Sequence, residues 1–178
     1  MNQQATRLLD RLDAETKDLM TFLNRYDHQA LNSNPKPAVF SALQNCEHVM
    51  GSERKSQEYL VKKLSFNPEL KNAGLASSLR FAVYRAGASL PIKFKAPEFI
   101  AQENLPAESE FYEVVKRWTR QREELRTFLG SLPEELWKKE LFKHPIAGKM
   151  TLVNMLKFLL DHFQRHRKQI KRALKGYQ

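Results

Sequence analysis

The stretch from Thr151 to Leu174 has the clearest helical pattern in the chain, and it limits the folds that the chain can adopt. Apolar residues recur there at steps of three and four: Leu152, Met155, Leu156, Leu159, Phe163, Ile170 and Ala173. Basic residues fill most of the opposite side, and Gly176 offers a stop signal. The pattern predicts an amphipathic helix that buries one side against other helices.

Two histidines, His162 and His166, lie on the apolar side of this predicted helix. Residues four apart stand one above the other, about 6 Å along the helix axis, so both imidazoles point the same way. Such a pair is typical either of histidines that pack and hydrogen-bond inside a core or of metal ligands. A three-histidine metal site would need a third ligand from another element.

Length and composition favour a single helical domain that spans residues 1–178. Only 6 glycines occur in 178 residues, which favours helix. The single cysteine, Cys46, excludes an internal disulfide and is interpreted as a small buried hydrophobic residue. The chain has no run of eighteen apolar residues, and its first residues are charged. We therefore expect a cytoplasmic protein without a membrane span or a secretory signal.

A formal net charge of +10 favours acidic partners, which include nucleic acid, a membrane surface or a small anionic substrate. The basic residues are spread over several predicted helices instead of forming a tail. No helix-turn-helix, zinc-finger or aromatic-basic RNA motif is visible. Nucleic-acid binding is therefore kept as a secondary alternative.

Three more amphipathic helices are predicted, over Ala5–Tyr26, Val39–Leu64 and Ser109–Leu129. The segments LNSNPKP and KHPIAGKM are predicted to be a turn and a loop, with a short helix starting at Pro133. The connection from Ser65 to Glu110 is long and contains one short helical piece, Ala76–Arg85. These features predict an all-α four-helix bundle of up-down-down-up order, because a long crossover lets helices 2 and 3 run parallel.

Three histidines lie outside the last helix. His48 lies near the middle of the second helix and, taken alone, is interpreted as a helix-surface residue. His28 follows the first helix and is expected at the surface or in a cleft. His144 precedes a proline and is expected to pack within its loop.

The chain resembles the DinB/YfiT-like family of metal-binding four-helix bundles, which includes metal-dependent hydrolases and thiol-dependent S-transferases. The second-helix pattern of that family reads here as Phe40-Ser41, His48 and Ser52-Glu53, with Phe40 in place of the usual tryptophan. The last-helix pattern reads as His144-Pro145, Gly148, Thr151-Leu152, His162, His166 and Gln169-Ile170. The stretch KFKAPEFI also looks like a connector of the family.

The resemblance implies one divalent ion, Zn²⁺ or Ni²⁺, on His48, His162 and His166. Three imidazoles leave a coordination position for a water or a low-molecular-weight thiol, so the implied activity is hydrolysis or thiol transfer on a small molecule. The resemblance also makes a homodimer an expectation. The alternatives are a metal-binding or stress-associated bundle without turnover and a basic nucleic-acid-binding bundle.

No catalytic side chain is assigned from the sequence. Candidates to hydrogen-bond the ligand imidazoles are Glu53, Asp161 and Gln169, although the first two are equally well interpreted as solvated surface charges. The cleft is predicted where the metal end of the bundle meets the long connection. Residues placed there as candidates to receive an anionic substrate are Tyr84, Arg85, Lys93 and Lys95.

Overall fold

The computed structural model describes residues 2–88 and 105–177. Within these ranges there are four helices of more than twenty residues: α1 (Gln3–Leu23), α3 (Ala42–Ser65), α5 (Phe111–Ser131) and α6 (Leu152–Ala173). Two shorter helices are α2 (His28–Asn32) and α4 (Leu75–Ala88). Single 3₁₀ turns cover Glu134–Lys138 and Lys175–Tyr177. The prediction of a mostly helical chain is confirmed.

Side-chain hydrogen bonds cap the starts of α3 and α6. The Ser41 hydroxyl accepts a hydrogen bond from the Gln44 N–H at 3.1 Å, and the Gln44 side chain accepts one from the Ser41 N–H at 3.1 Å. This reciprocal capping box satisfies two backbone donors that the helix itself leaves free. Thr151 caps α6 through a bond from the Asn154 N–H.

The four long helices enclose one apolar core. α1 contacts α5 and α6, and α3 also contacts α5 and α6, so the four contacts close a ring. The side chains buried inside it include Leu9, Leu12, Leu19, Leu43, Leu60, Trp118, Leu125, Leu129 and Phe163. They lie on the apolar stripes that the helical period predicts. Among the described residues, no helix is both long enough and apolar enough to cross a membrane.

Side-chain contacts fix the directions in which neighbouring helices run. Two pairs have residue numbers that rise in one helix and fall in the other: α1 with α5 (Asp10–Arg126, Asp13–Arg122) and α3 with α6 (Asn45–His166, His48–His162). In two other pairs the numbers rise together: α3 with α5 (Glu47–Arg117, Glu53–Arg122) and α1 with α6 (Glu15–Gln164, Phe22–Lys171). The antiparallel packing of α3 against α6 positions the histidines.

The structure corrects two predictions of local structure. KHPIAGKM was predicted to be a loop, but Phe142–His144 (β1) and Gly148–Met150 (β2) pair as an antiparallel hairpin. Strands of three residues are too short for their alternation to be recognised in the sequence. Gly148 has a φ of +72°, which suits glycine at the turn. The first helix ends at Leu23, and Asp27 caps the extra one-turn helix α2 by accepting a bond from the Ala30 N–H.

The long connection contains one helix longer than predicted, since α4 runs from Leu75 to Ala88. It packs on the hairpin, where Arg80 donates a hydrogen bond to the Lys149 carbonyl at 3.2 Å. Phe81 and Ser77 face inwards and are buried. The family-like stretch KFKAPEFI, with Lys93 and Lys95, lies outside the described residues.

A buried ion pair joins α3 to α5. Glu53 is 2% exposed and accepts hydrogen bonds from Arg122 at 2.7 and 3.2 Å and from the Trp118 indole at 3.1 Å. Arg122 also donates to Asp13 of α1 at 3.2 Å. A buried pair of this kind contributes little relative to apolar residues, but the loss of one partner is costly.

We predict that Arg122→Met lowers the free energy of unfolding by about 3–5 kcal/mol, because Glu53 is left buried without its counter-charge. The matched control is Arg120→Met, which removes the exposed 3.6 Å pair with Glu124 and should change stability by less than about 0.5 kcal/mol. Urea unfolding measures both.

The double variant Glu53→Met with Arg122→Met should recover much of the loss, since no unpaired charge remains in it. An Arg122→Met protein as stable as Arg120→Met would contradict this interpretation of the ion pair.

Candidate metal centre

Three histidines from two helices meet inside the bundle. His48 comes from the second turn of α3, and His162 and His166 come from the middle of α6 and the turn that follows it. His48 is 4% exposed and His166 is 7% exposed, while His162 is partly buried. Because α3 and α6 are antiparallel neighbours, residues 114 positions apart come into contact.

The three imidazoles present nitrogens to one small volume. His48 Nε2 lies 3.3 Å from His162 Nε2, and the nitrogens that the three rings offer all lie within 4.8 Å of one another. The ring centroids are 5.2 Å apart for His48 and His162, 4.5 Å for His48 and His166, and 4.6 Å for His162 and His166. This is the spacing of side chains that share a ligand.

The donor set fits a divalent transition-metal ion. Two nitrogens bound at about 2.0–2.1 Å to one tetrahedral ion lie about 3.3 Å apart, which is the distance between the Nε2 atoms of His48 and His162. Nitrogens within 4.8 Å of one another need only small ring rotations to reach that spacing. Imidazole suits Zn²⁺ and Ni²⁺.

Burial keeps the rings of α6 in the protonation state that metal binding requires. Burial, and then the nearby His48 and Arg165 charges, lowers the pKa of His166 to about 3. Burial also lowers the pKa of His162 well below its usual value, and the neighbouring histidines and Arg165 add to this effect. Both rings are therefore neutral at neutral pH, and a neutral imidazole has a lone pair to give to an ion.

Asn45 fixes the orientation of the His166 ring. The Asn45 amide nitrogen donates to the Ser41 carbonyl at 2.9 Å, which leaves its Oδ1 as an acceptor 2.8 Å from His166 Nδ1. The proton of the neutral ring is therefore on Nδ1, and the lone pair is on Nε2. Metal-ligating histidines are held in this way by a partner on the other ring nitrogen.

Asn45 was not among the residues predicted from the sequence. The signal that could have found it is its position three residues before His48, on the same face of α3.

The other two rings are placed differently from His166. The His162 ring packs on Phe158, with centroids 5.7 Å apart and an interplanar angle of 29°. Its Nδ1 is buried and has no hydrogen-bond partner among the described residues. His48 packs on Phe40 with a centroid distance of 5.4 Å. Phe40 is the residue that replaces the tryptophan of the family pattern, and it keeps the aromatic contact.

Two of the three candidates for holding the imidazoles bond other residues instead. Glu53 bonds Arg122 and Trp118. Asp161 accepts two hydrogen bonds from Arg85 of α4, at 2.6 and 2.9 Å. Gln169 is partly buried on α6. The Asp161–Arg85 pair means that this arginine, which was predicted to receive an anionic substrate, is already engaged by a carboxylate.

The two remaining histidines stay apart from the cluster. His28 is half exposed, with its ring nitrogens each 3.5 Å from a carboxylate, one of Glu108 and one of Glu110. This agrees with its expected surface position. His144 is 7% exposed within the hairpin, where its Nδ1 accepts hydrogen bonds from the N–H groups of Ile146 at 3.2 Å and Ala147 at 3.1 Å. This confirms the expected role in packing the 143–150 segment.

Comparison with known proteins gives one match. A family model described as the DinB superfamily matches residues 11–170, a range that contains all three clustered histidines. No curated protein and no solved structure matches the chain. Because the match covers most of the 178 residues and agrees with the resemblance read from the His48 and His162–His166 motifs, the chain belongs to the DinB superfamily.

Proposed function

We propose that this protein binds one divalent metal ion through His48, His162 and His166 and acts as a metal-dependent hydrolase or thiol-dependent S-transferase on a small molecule. The observation that carries the proposal is the convergence of three imidazoles from separate parts of the chain, with ligand nitrogens within 4.8 Å of one another. Core packing alone gives no reason for the ring nitrogens of three histidines to converge on one small volume.

The proposal includes the architecture around the site. Residues 1–178 form a single domain, in which α1, α3, α5 and α6 make the up-down-down-up bundle. The antiparallel contacts of α3 with α6 and the parallel contacts of α3 with α5 support this order.

The donor set bears on the chemistry. An imidazole that binds through its lone pair is a neutral ligand, so an ion on three histidines would keep its double positive charge. A divalent ion with this charge would act as a Lewis acid and would lower the pKa of a coordinated water or thiol. The protein contributes the buried position of the rings and the orientation of His166 by Asn45. Zn²⁺ and Ni²⁺ are the ions that we propose.

Electrostatics support an anionic substrate. Arg165 lies one turn from His162 on α6, close enough for its positive charge to lower the pKa values of His162 and His166. The one carboxylate of α6, Asp161, already pairs with Arg85. A bound divalent ion would add two positive charges to this arrangement, which favours a carboxylate or phosphate group on the ligand.

A second candidate function is metal binding without turnover. The observation that favours it is the placement of Glu53 and Asp161, which both bond arginines instead of facing the histidine cluster. Neither carboxylate is free to move a proton at the site, and so a carboxylate general base is missing among the described residues near it.

We predict that wild-type protein binds one equivalent of Zn²⁺ or Ni²⁺ and that His48→Ala loses this binding, because two histidines cannot hold the ion as three do. Elemental analysis after dialysis measures it. The control is His28→Ala, which should keep one equivalent because His28 is half exposed and lies outside the cluster. Equal metal contents in wild type and His48→Ala would contradict the site.

Metal binding should also stabilise the fold. A free metal concentration of 100 times Kd adds about 2.7 kcal/mol to the free energy of unfolding, so the Tm of the wild type should rise and that of His48→Ala should not. Differential scanning calorimetry with and without a chelator measures this difference.

Asn45→Ala should weaken metal binding about 10- to 100-fold, the effect of removing a hydrogen bond that orients a ligand histidine. Competition with a chromogenic chelator gives the affinity. Asn24→Ala is the control, since Asn24 is exposed and its side-chain oxygen accepts a bond from Tyr112 instead of contacting an imidazole. An unchanged affinity in Asn45→Ala would show that the 2.8 Å contact does not orient the ring.

Turnover should depend on the ion. We expect the metal-loaded wild type, and not the chelated protein or His48→Ala, to act either on small esters or amides or on an electrophile together with a low-molecular-weight thiol. A panel of both substrate types with Zn²⁺ and Ni²⁺ measures it. Stoichiometric binding without turnover in either panel would favour the second candidate function.

A further inference from the structure

His144 has one defined tautomer, although it is not part of the histidine cluster. Its Nδ1 accepts hydrogen bonds from two backbone N–H groups, those of Ile146 and Ala147. A nitrogen that accepts cannot carry the proton, so the proton of the neutral ring is on Nε2. Burial lowers the pKa of His144 to about 4, in agreement with a neutral ring.

In this tautomer the Nε2–H of His144 is a donor within reach of Tyr84 of α4. His144 Nε2 lies 3.5 Å from the Tyr84 hydroxyl oxygen, at the long end of the hydrogen-bond range, and the ring centroids are 4.7 Å apart. Since the Nε2–H can only donate, the phenol oxygen accepts. The proton of the Tyr84 hydroxyl is then available for another acceptor, and the described residues offer it none.

Tyr84 stands beside the turn of α6 that carries His162. Phe158 joins the two, because its ring contacts His144 at 4.5 Å, Tyr84 at 6.4 Å and His162 at 5.7 Å between centroids. The pKa of Tyr84 is raised, chiefly by burial, and the charges of Arg165 and Asp161 have smaller effects on it. Both charged residues flank His162 on α6.

We propose that the Tyr84 hydroxyl donates a hydrogen bond to an oxygen atom of the ligand bound at the metal centre, and that His144 is the residue that positions this hydroxyl. The inference rests on the proposed function and extends it to a carboxylate or similar oxygen-bearing ligand. It gives the hairpin and α4 a role, since these elements bring His144 and Tyr84 to the α6 side of the cluster.

The test uses the full chain loaded with Co²⁺, whose visible spectrum responds to a change of ligand, and acetate as the probe. Tyr84→Phe removes only the hydroxyl and should raise the apparent Kd of acetate about threefold to tenfold, the effect of one hydrogen bond. His144→Asn keeps an acceptor for the Ile146 and Ala147 N–H groups and removes the Nε2 donor. It should raise the Kd by a smaller factor.

The matched control is Tyr59→Phe. Tyr59 packs edge-on against Phe142 of the same hairpin, with centroids 5.5 Å apart, and has a pKa that is likewise raised by burial. Its substitution should leave acetate binding unchanged. All three variants should keep the Co²⁺ affinity and Tm of the wild type.

Each contrary outcome has a distinct meaning. A wild type that binds no Co²⁺ overturns both the metal site and this inference. If Co²⁺ binds, the role of Tyr84 alone is overturned by any of three results: Tyr84→Phe binds acetate as tightly as wild type, acetate leaves the wild-type spectrum unchanged, or Tyr84→Phe weakens Co²⁺ binding as much as acetate binding.

Discussion

The packing of α3 against α6 is the interaction on which the rest of the structure depends. It is antiparallel, and it places Asn45 and His48 of one helix opposite His166 and His162 of the other. The other long helices complete the ring of contacts around the core and keep this pair in place. Placing His48 one position earlier or later on α3 would rotate its side chain about 100° around the helix axis and remove it from the cluster.

Burial determines the chemistry of the site as much as geometry does. The chain has a net charge of +10, yet burial keeps His162 and His166 neutral inside the bundle. Glu53 is buried and paired with Arg122, and Asp161 pairs with Arg85 in a more exposed position. Because these two carboxylates pair with arginines, a divalent ion on the histidines would favour ligands that bring negative charge.

Much of the fold could be predicted from residues alone. The apolar periods of Val39–Leu64 and Thr151–Leu174 predicted the two ligand-bearing helices to within three residues. The hairpin at 142–150 was missed because three-residue strands show no period, and α2 was missed because Asp27 was not recognised as an N-cap. Side-chain contacts between helices were harder to predict. Glu53 bonds Arg122, and Asn45 rather than Glu53 contacts a histidine. Such contacts depend on how each helix is rotated about its axis, which the local sequence does not encode.

X-ray absorption spectroscopy of the metal-loaded protein shows directly whether these imidazoles share one ion. We expect a first shell containing three imidazole nitrogens at about 2.0–2.1 Å for Zn²⁺, with the outer-shell scattering of histidine rings, and one or two further light atoms. In His166→Ala the histidine contribution should fall to two rings or be lost with the ion. A shell made of oxygen atoms alone, or the same histidine count in wild type and variant, would contradict the account.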